Sequence, residues 1–166
     1  MPTSLNLSGY FTGSGSPPVT AIILAMLHLL LGIGGLYGGS MLLIDPTGEL
    51  IGFSPDILER IGVIDSFLLP GLFLIIVMGI TPLEIVVALI VRKRWELMTN
   101  LNPLKHYHWA WTASLILGII LVLWLSVQFW LIGLQHPIQA ITGFIGISII
   151  VLSLLPNVRT AYRLSA

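Results

Sequence analysis

The sequence predicts an all-α fold: a four-helix transmembrane bundle with a short interfacial helix in the outer loop between helices 1 and 2. Three observations carry that prediction: the composition, the length of four apolar runs, and the placement of the basic residues. Of 166 residues, 56% are hydrophobic and only 8% charged, whereas soluble domains run near a quarter charged. A membrane span takes about 20 apolar residues at about 1.5 Å of rise each. Residues 19–44, 64–91, 109–134 and 137–155 meet that length. Uninterrupted runs of this kind read as helices, since the strands of a barrel would alternate. Only a few residues around Gln135 and His136 join the last two spans, which makes them an antiparallel hairpin.

Arg92, Lys93, Arg94 and Lys105 follow the second span, and Arg159 and Arg163 follow the fourth. Arg60 alone falls in the first loop, among Asp45, Glu49, Asp56, Glu59 and Asp65. The positive-inside rule places the basic side in the cytoplasm, and an even number of spans takes both termini there. The expected location is the plasma (inner) membrane. Residues 1–18 carry no Lys or Arg and no short apolar core. They are expected to form a flexible tail and not a secretory signal. The transmembrane domain is expected over 19–158, with 159–166 as a cytoplasmic tail.

The first loop has an internal pattern. Asp45-Pro46-Thr47-Gly48 has the makings of a tight turn, with proline presetting φ and glycine allowing positive φ. Ser54-Pro55-Asp56 reads as an N-cap, a first helical proline and a first-turn acid. Ile57, Leu58 and Ile61 would line one face of the short helix, and Gly62 would end it. That helix is expected flat on the membrane surface or capping the bundle's outer end.

Composition also excludes. With seven basic and seven acidic residues there is no net charge, so no nucleic-acid partner is expected. With no cysteine, disulfide frameworks, thiolate metal sites and the chemistry of the four-helix quinone-linked disulfide-forming enzymes are ruled out. No phosphate loop, nucleophile elbow, zinc-protease motif or paired catalytic acids occur. No catalytic residue, metal or cofactor is therefore expected. His-x-His at His106 and His108 lacks nearby ligands and reads, with Trp95, Trp109 and Trp111, as an aromatic and basic collar at the headgroups.

Two intramembrane polar residues stand out, Glu84 and His28. Glu84 lies seven residues before Val91, about 10 Å below the end of its helix. An ionisable group there is costly and points to function. The alternative is a protonated carboxyl, or one reaching toward Arg92 or Arg94. Pro82 frees a carbonyl nearby, and Thr81 can help satisfy the local backbone. His28 lies at similar depth, so a His28–Glu84 hydrogen bond is open to the chain, as is a proton shuttle through the pair. A second polar group, Tyr37, Ser40, Asp45, Ser126 and Gln128, can line an outer pocket with Gln135 and Gln139 or simply bond between helices. The first span carries Gly32, Gly34, Gly35, Gly38 and Gly39, including two Gly-xxx-Gly spacings. With Ala140, Gly143 and Gly146 on the fourth, they read as packing faces, the alternatives being a homodimer seam or a ligand on exposed backbone.

Leu36-Tyr37-Gly38-Gly39, Asp45-Pro46-Thr47-Gly48, Leu69-Pro70-Gly71, Arg92-Lys93-Arg94-Trp95, Trp124, Val127-Gln128, Leu131-Ile132-Gly133 and Gln135-His136-Pro137 form a pattern. Over residues 25 to 155 the chain resembles a family of small, uncharacterised four-span bacterial membrane proteins. A fainter similarity is to the DoxX-like membrane proteins, whose first span also leads into a Leu/Asp/Pro turn. The resemblance implies the fold and a bacterial cell membrane but no activity. Three functions remain in view. The first is an accessory or structural membrane protein, self-assembling as a homodimer or joining a larger membrane complex. The others are a small proton-coupled transporter using Glu84 and His28, and a lipid- or quinone-binding protein using Tyr37 and Gln128.

Overall fold

A computed structural model of the chain describes residues 17–54, 56–92 and 95–164. The expected flexible tail up to residue 16, the first-turn proline at Pro55 and the Lys93-Arg94 pair lie outside the described residues. Helix α1 (Val19–Ile44) is followed by a 3-10 turn (Glu49–Ile51) and α2 (Ile57–Ile61). The second span is continuous but composite: α3 (Leu68–Phe73), a π-helical segment (Leu74–Ile80) and α4 (Thr81–Val91). Then come α5 (Glu96–Leu101), α6 (Trp109–Ile132), α7 (Pro137–Leu154) and α8 (Pro156–Ala161). The fold is all-α among the described residues, and four of its helices are long and apolar enough to cross a membrane. The chain is a multi-pass integral membrane protein.

The four spans form two antiparallel hairpins. One pairs α1 with the second span and the other pairs α6 with α7; α1 also meets α7, and α4 meets α6. The first hairpin closes on glycine. A Cβ added to Gly35 would lie 2.3 Å from the Met78 carbonyl oxygen, and one on Gly39 would lie 2.8 Å from that of Gly71. Without a hydrophobic force between helices in lipid, this close approach supplies the dispersion contact that holds them. Gly34 and Gly38 take no part in it, since space beside the first is open and Leu74 is only a loose neighbour of the second. The π-helical segment follows from Pro82. Proline has no N–H to give the Met78 carbonyl, and its ring crowds that oxygen. Widening the turn relieves the crowding: the Thr81 N–H and hydroxyl both reach the Ile76 carbonyl, the hydroxyl at 2.9 Å. The Met78 oxygen is thereby free to sit against Gly35.

At the acidic end the first loop is a folded cap. Asp45 accepts from the Thr47 N–H at 3.1 Å, the Thr47 hydroxyl at 2.6 Å and the Leu50 N–H at 2.8 Å. Phe67 closes the loop by donating its N–H to the Pro46 carbonyl at 2.8 Å. Leu42, Ile57 and Phe67 are its buried core, with Phe53, Leu58, Ile61 and Ile64 packed around them. The apolar face expected on α2 therefore covers the bundle's end. Drawing Ile64 and Phe67 into this core also explains why the second span starts at Leu68 and not at residue 64.

At the basic end residues 159–164, set outside the transmembrane domain on sequence grounds, fold back onto the bundle. Val158 and Tyr162 are completely buried. The Tyr162 hydroxyl donates to the Leu89 carbonyl at 2.7 Å, one of the last carbonyls of α4, which the helix itself leaves unpaired. Burial raises the Tyr162 pKa, against the opposing pull of the nearby Arg92 guanidinium. The chain then pairs with the α5–α6 loop, His108 N–H to the Tyr162 carbonyl and Leu164 N–H to the His106 carbonyl, each at 2.8 Å.

Candidate functional site

The outward face of the second span reads Ile76, Ile80, Glu84, Val87, Val91, all exposed. The spacing of four, four, three and four residues puts them on one stripe of a helix. Glu84 is the only polar side chain in that stripe. Among the described residues it has no hydrogen-bond or ion-pair partner. Ile85 and Ala88, on the opposite face, are buried against the bundle.

His28 faces the other way. It is fully buried, and its Nδ1 donates to the Leu24 carbonyl at 2.8 Å. Its Nε2 is buried without a hydrogen-bond partner. The His28–Glu84 hydrogen bond that the sequence allows is thus not formed: comparable depth leaves the two side chains on opposite faces, a matter of helix rotation that depth alone does not decide. Trp124 Nε1 and Thr112 Oγ1 are likewise buried without a partner.

The outer polar candidates do not converge. A groove of about 350 Å³ opens between the halves of α6 and α7 nearest their connecting turn, lined by residues including Leu125, Ser126, Phe129, Gln139 and Gly143. Ser126 alone of the five expected residues borders it, and its hydroxyl is spent on the Val122 carbonyl at 2.8 Å. Gln139 holds the α6–α7 turn, accepting from the N–H groups of Gln135 and His136 at 2.7 and 3.1 Å. Tyr37 is 66% exposed on α1, Ser40 and Gln128 are half-buried, and Asp45 is engaged in its turn. Hydrogen bonding between the helices, the other reading of this group, is not seen at Ser126 either.

The histidines of the His-x-His pair separate too. His106 is exposed, whereas His108 is buried and caps α6 by accepting from the Ala110 N–H at 3.3 Å. Among the described residues no three metal-ligating side chains cluster. The expected headgroup collar is not what forms: Trp109 and Trp111 are buried in the bundle and only Trp95 is exposed, with Trp95 stacked on Trp109 at 5.9 Å and Tyr107 on Trp111 at 4.2 Å. Two polar contacts between α6 and α7 escaped the sequence reading. Trp111 Nε1 donates to the Ser153 carbonyl at 2.7 Å, and the Ser114 and Ser153 hydroxyls meet at 3.2 Å. Serine at these two positions gives no sign of its partner, since the pairing rests on how α6 and α7 are rotated.

Compared with protein-family models, curated proteins and solved structures, the chain matches none. The outward stripe centred on Glu84 is the candidate site.

Proposed function

We propose that the chain is an accessory protein of the inner (plasma) membrane, basic end and both termini cytoplasmic, which assembles laterally through the outward face of its second span. The observation that supports this reading is Glu84, exposed and unpartnered at the centre of an otherwise apolar stripe. Ionisable side chains in membrane helices nearly always face a bundle interior or pair with another polar group. Glu84 does neither within the protomer, and assembly supplies what the protomer lacks. A proton-coupled carrier has less support, because Glu84 and His28 lie on opposite faces of the helix layer. A lipid- or quinone-specific site has less as well, because the polar groups bordering the α6–α7 groove are already bonded to their own backbone. Native mass spectrometry of gently solubilised wild type and E84L tests the proposal. The expected result is an assembly larger than the protomer that E84L dissolves. Protomer alone in both samples, or an assembly unchanged by E84L, would refute it.

A further inference from the structure

We infer that the occupant of this face is a transmembrane helix of a different protein carrying a basic residue at the depth of Glu84. The inference rests on the lateral assembly proposed above and names the partner. Charge is the first argument. An acid in lipid is best satisfied by a cation with which it can also hydrogen-bond, at short range and low dielectric. A second copy of this chain has no such group to offer. The seven Lys and Arg residues are 60, 92, 93, 94, 105, 159 and 163, and none lies in a span. The one intramembrane histidine, His28, is fully buried in its own bundle. Copies inserted in the same orientation meet about a two-fold axis along the membrane normal, which would set Glu84 against Glu84. Two carboxyls brought together there cannot both ionise, whereas a cation accommodates the ionised form.

Geometry supplies the second argument. Ile76, Ile80, Val87 and Val91 flank Glu84 at the spacing by which one helix seats along another at a small left-handed crossing angle. Branched, stiff side chains lose little freedom on being covered. A single polar residue within such a seam fixes register and partner more than it adds strength. The face therefore selects a helix with an apolar surface and one cation opposite position 84.

The test uses the full chain, purified and reconstituted in liposomes with synthetic Leu/Ala transmembrane helices. These carry Lys, Leu or Glu at one guest position about 10 Å from the interface, and association is read by energy transfer. The Lys helix is expected to associate about tenfold more tightly than the Leu helix, a difference of about 1.4 kcal/mol. E84L should abolish that preference, and E84K should transfer it to the Glu helix. Circular dichroism on each variant checks that the bundle is intact, and E84Q serves as the milder change if E84K does not fold. Equal association of the Lys and Leu helices with wild type would overturn the inference. If the chain also self-associates in a Glu84-dependent way, the partner is a second copy and lateral assembly stands. With neither preference nor self-association, both fail.

Discussion

The two hairpins are equally suited to lipid and packed quite differently. Their spans have mean hydropathies of 2.3 and 2.7 in the first hairpin and 2.5 and 2.0 in the second. Yet in the most apolar 18-residue stretch of each span, 39% and 33% of the first pair is buried inside the bundle, against 17% for each of the second, because the buried residues of α6 crowd its basic-end half, Trp109 to Leu121. In the first hairpin backbone meets backbone at Gly35, Gly39, Gly71 and Gly79. In the second, the closest approach sets Gly118 against the side chains of Ile149 and Ile150. Near Gly143 an added Cβ would stay 3.7 Å from Leu125, where the groove begins. Apolarity places a helix in the membrane and says little about how tightly it is held there. Tightness depends on whether small residues recur on the face that meets a neighbour.

Breaking the tight hairpin should have the largest effect. Gly35→Val places a branched side chain where the Met78 carbonyl sits, and should cost about 3 kcal/mol in denaturant-detergent unfolding followed by circular dichroism. Gly34→Ala, one residue away with open space beside it, should change stability by no more than about 0.5 kcal/mol. Equal losses in the two variants would mean that glycine spacing is not what sets the contrast. At the basic end, Tyr162→Phe removes the donor to the Leu89 carbonyl and should cost about 1 kcal/mol in the same assay. In the loose hairpin Gly143→Ala should be tolerated within about 0.5 kcal/mol. A loss as large as that of Gly35→Val would show the groove to be closed in the membrane.

The smallest effect concerns the α1–α2 loop and pH. The Thr47 hydroxyl first, then the Leu50 N–H, hold the Asp45 carboxyl below the usual carboxylate range. A folded-state pKa below the unfolded one means the contribution is present above the unfolded value of about 3.9 and is lost as pH falls through the folded one. The Leu50 amide chemical shift should therefore stay constant from neutral pH down to about pH 5 and move only below the ordinary carboxylate value. Asp45→Asn should show no such transition. A wild-type transition centred at or above the ordinary value would contradict the turn's hydrogen bonding.

The number and limits of the spans were legible, α1 to the residue and the others within a few, because hydropathy and length decide what enters lipid. So was the ending of α2 at Gly62, whose backbone is left-handed with φ 62°. The glycine face was legible as packing, but not which glycines pack: five lie in α1, and rotation leaves Gly34 and Gly38 out. The π-helical turn was half legible. Pro82 announces a freed carbonyl, yet only the approach of Gly35 shows where that carbonyl goes. At the candidate site the sequence singled out Glu84 and left open which way it faces.

By itself, then, the sequence determined what depends on local chemistry summed along the chain: four spans, a basic and an acidic end, turn positions, and an acid within a span. The tertiary structure decided what depends on the rotation of helices about their own axes. It separated Glu84 from His28, buried Tyr162, joined Trp111 to Ser153 and opened the groove between α6 and α7. In lipid an apolar side chain loses little by facing outward, so hydropathy leaves that rotation nearly free. Close contacts such as Gly35 against Met78 settle it, and they exist only between segments distant in sequence.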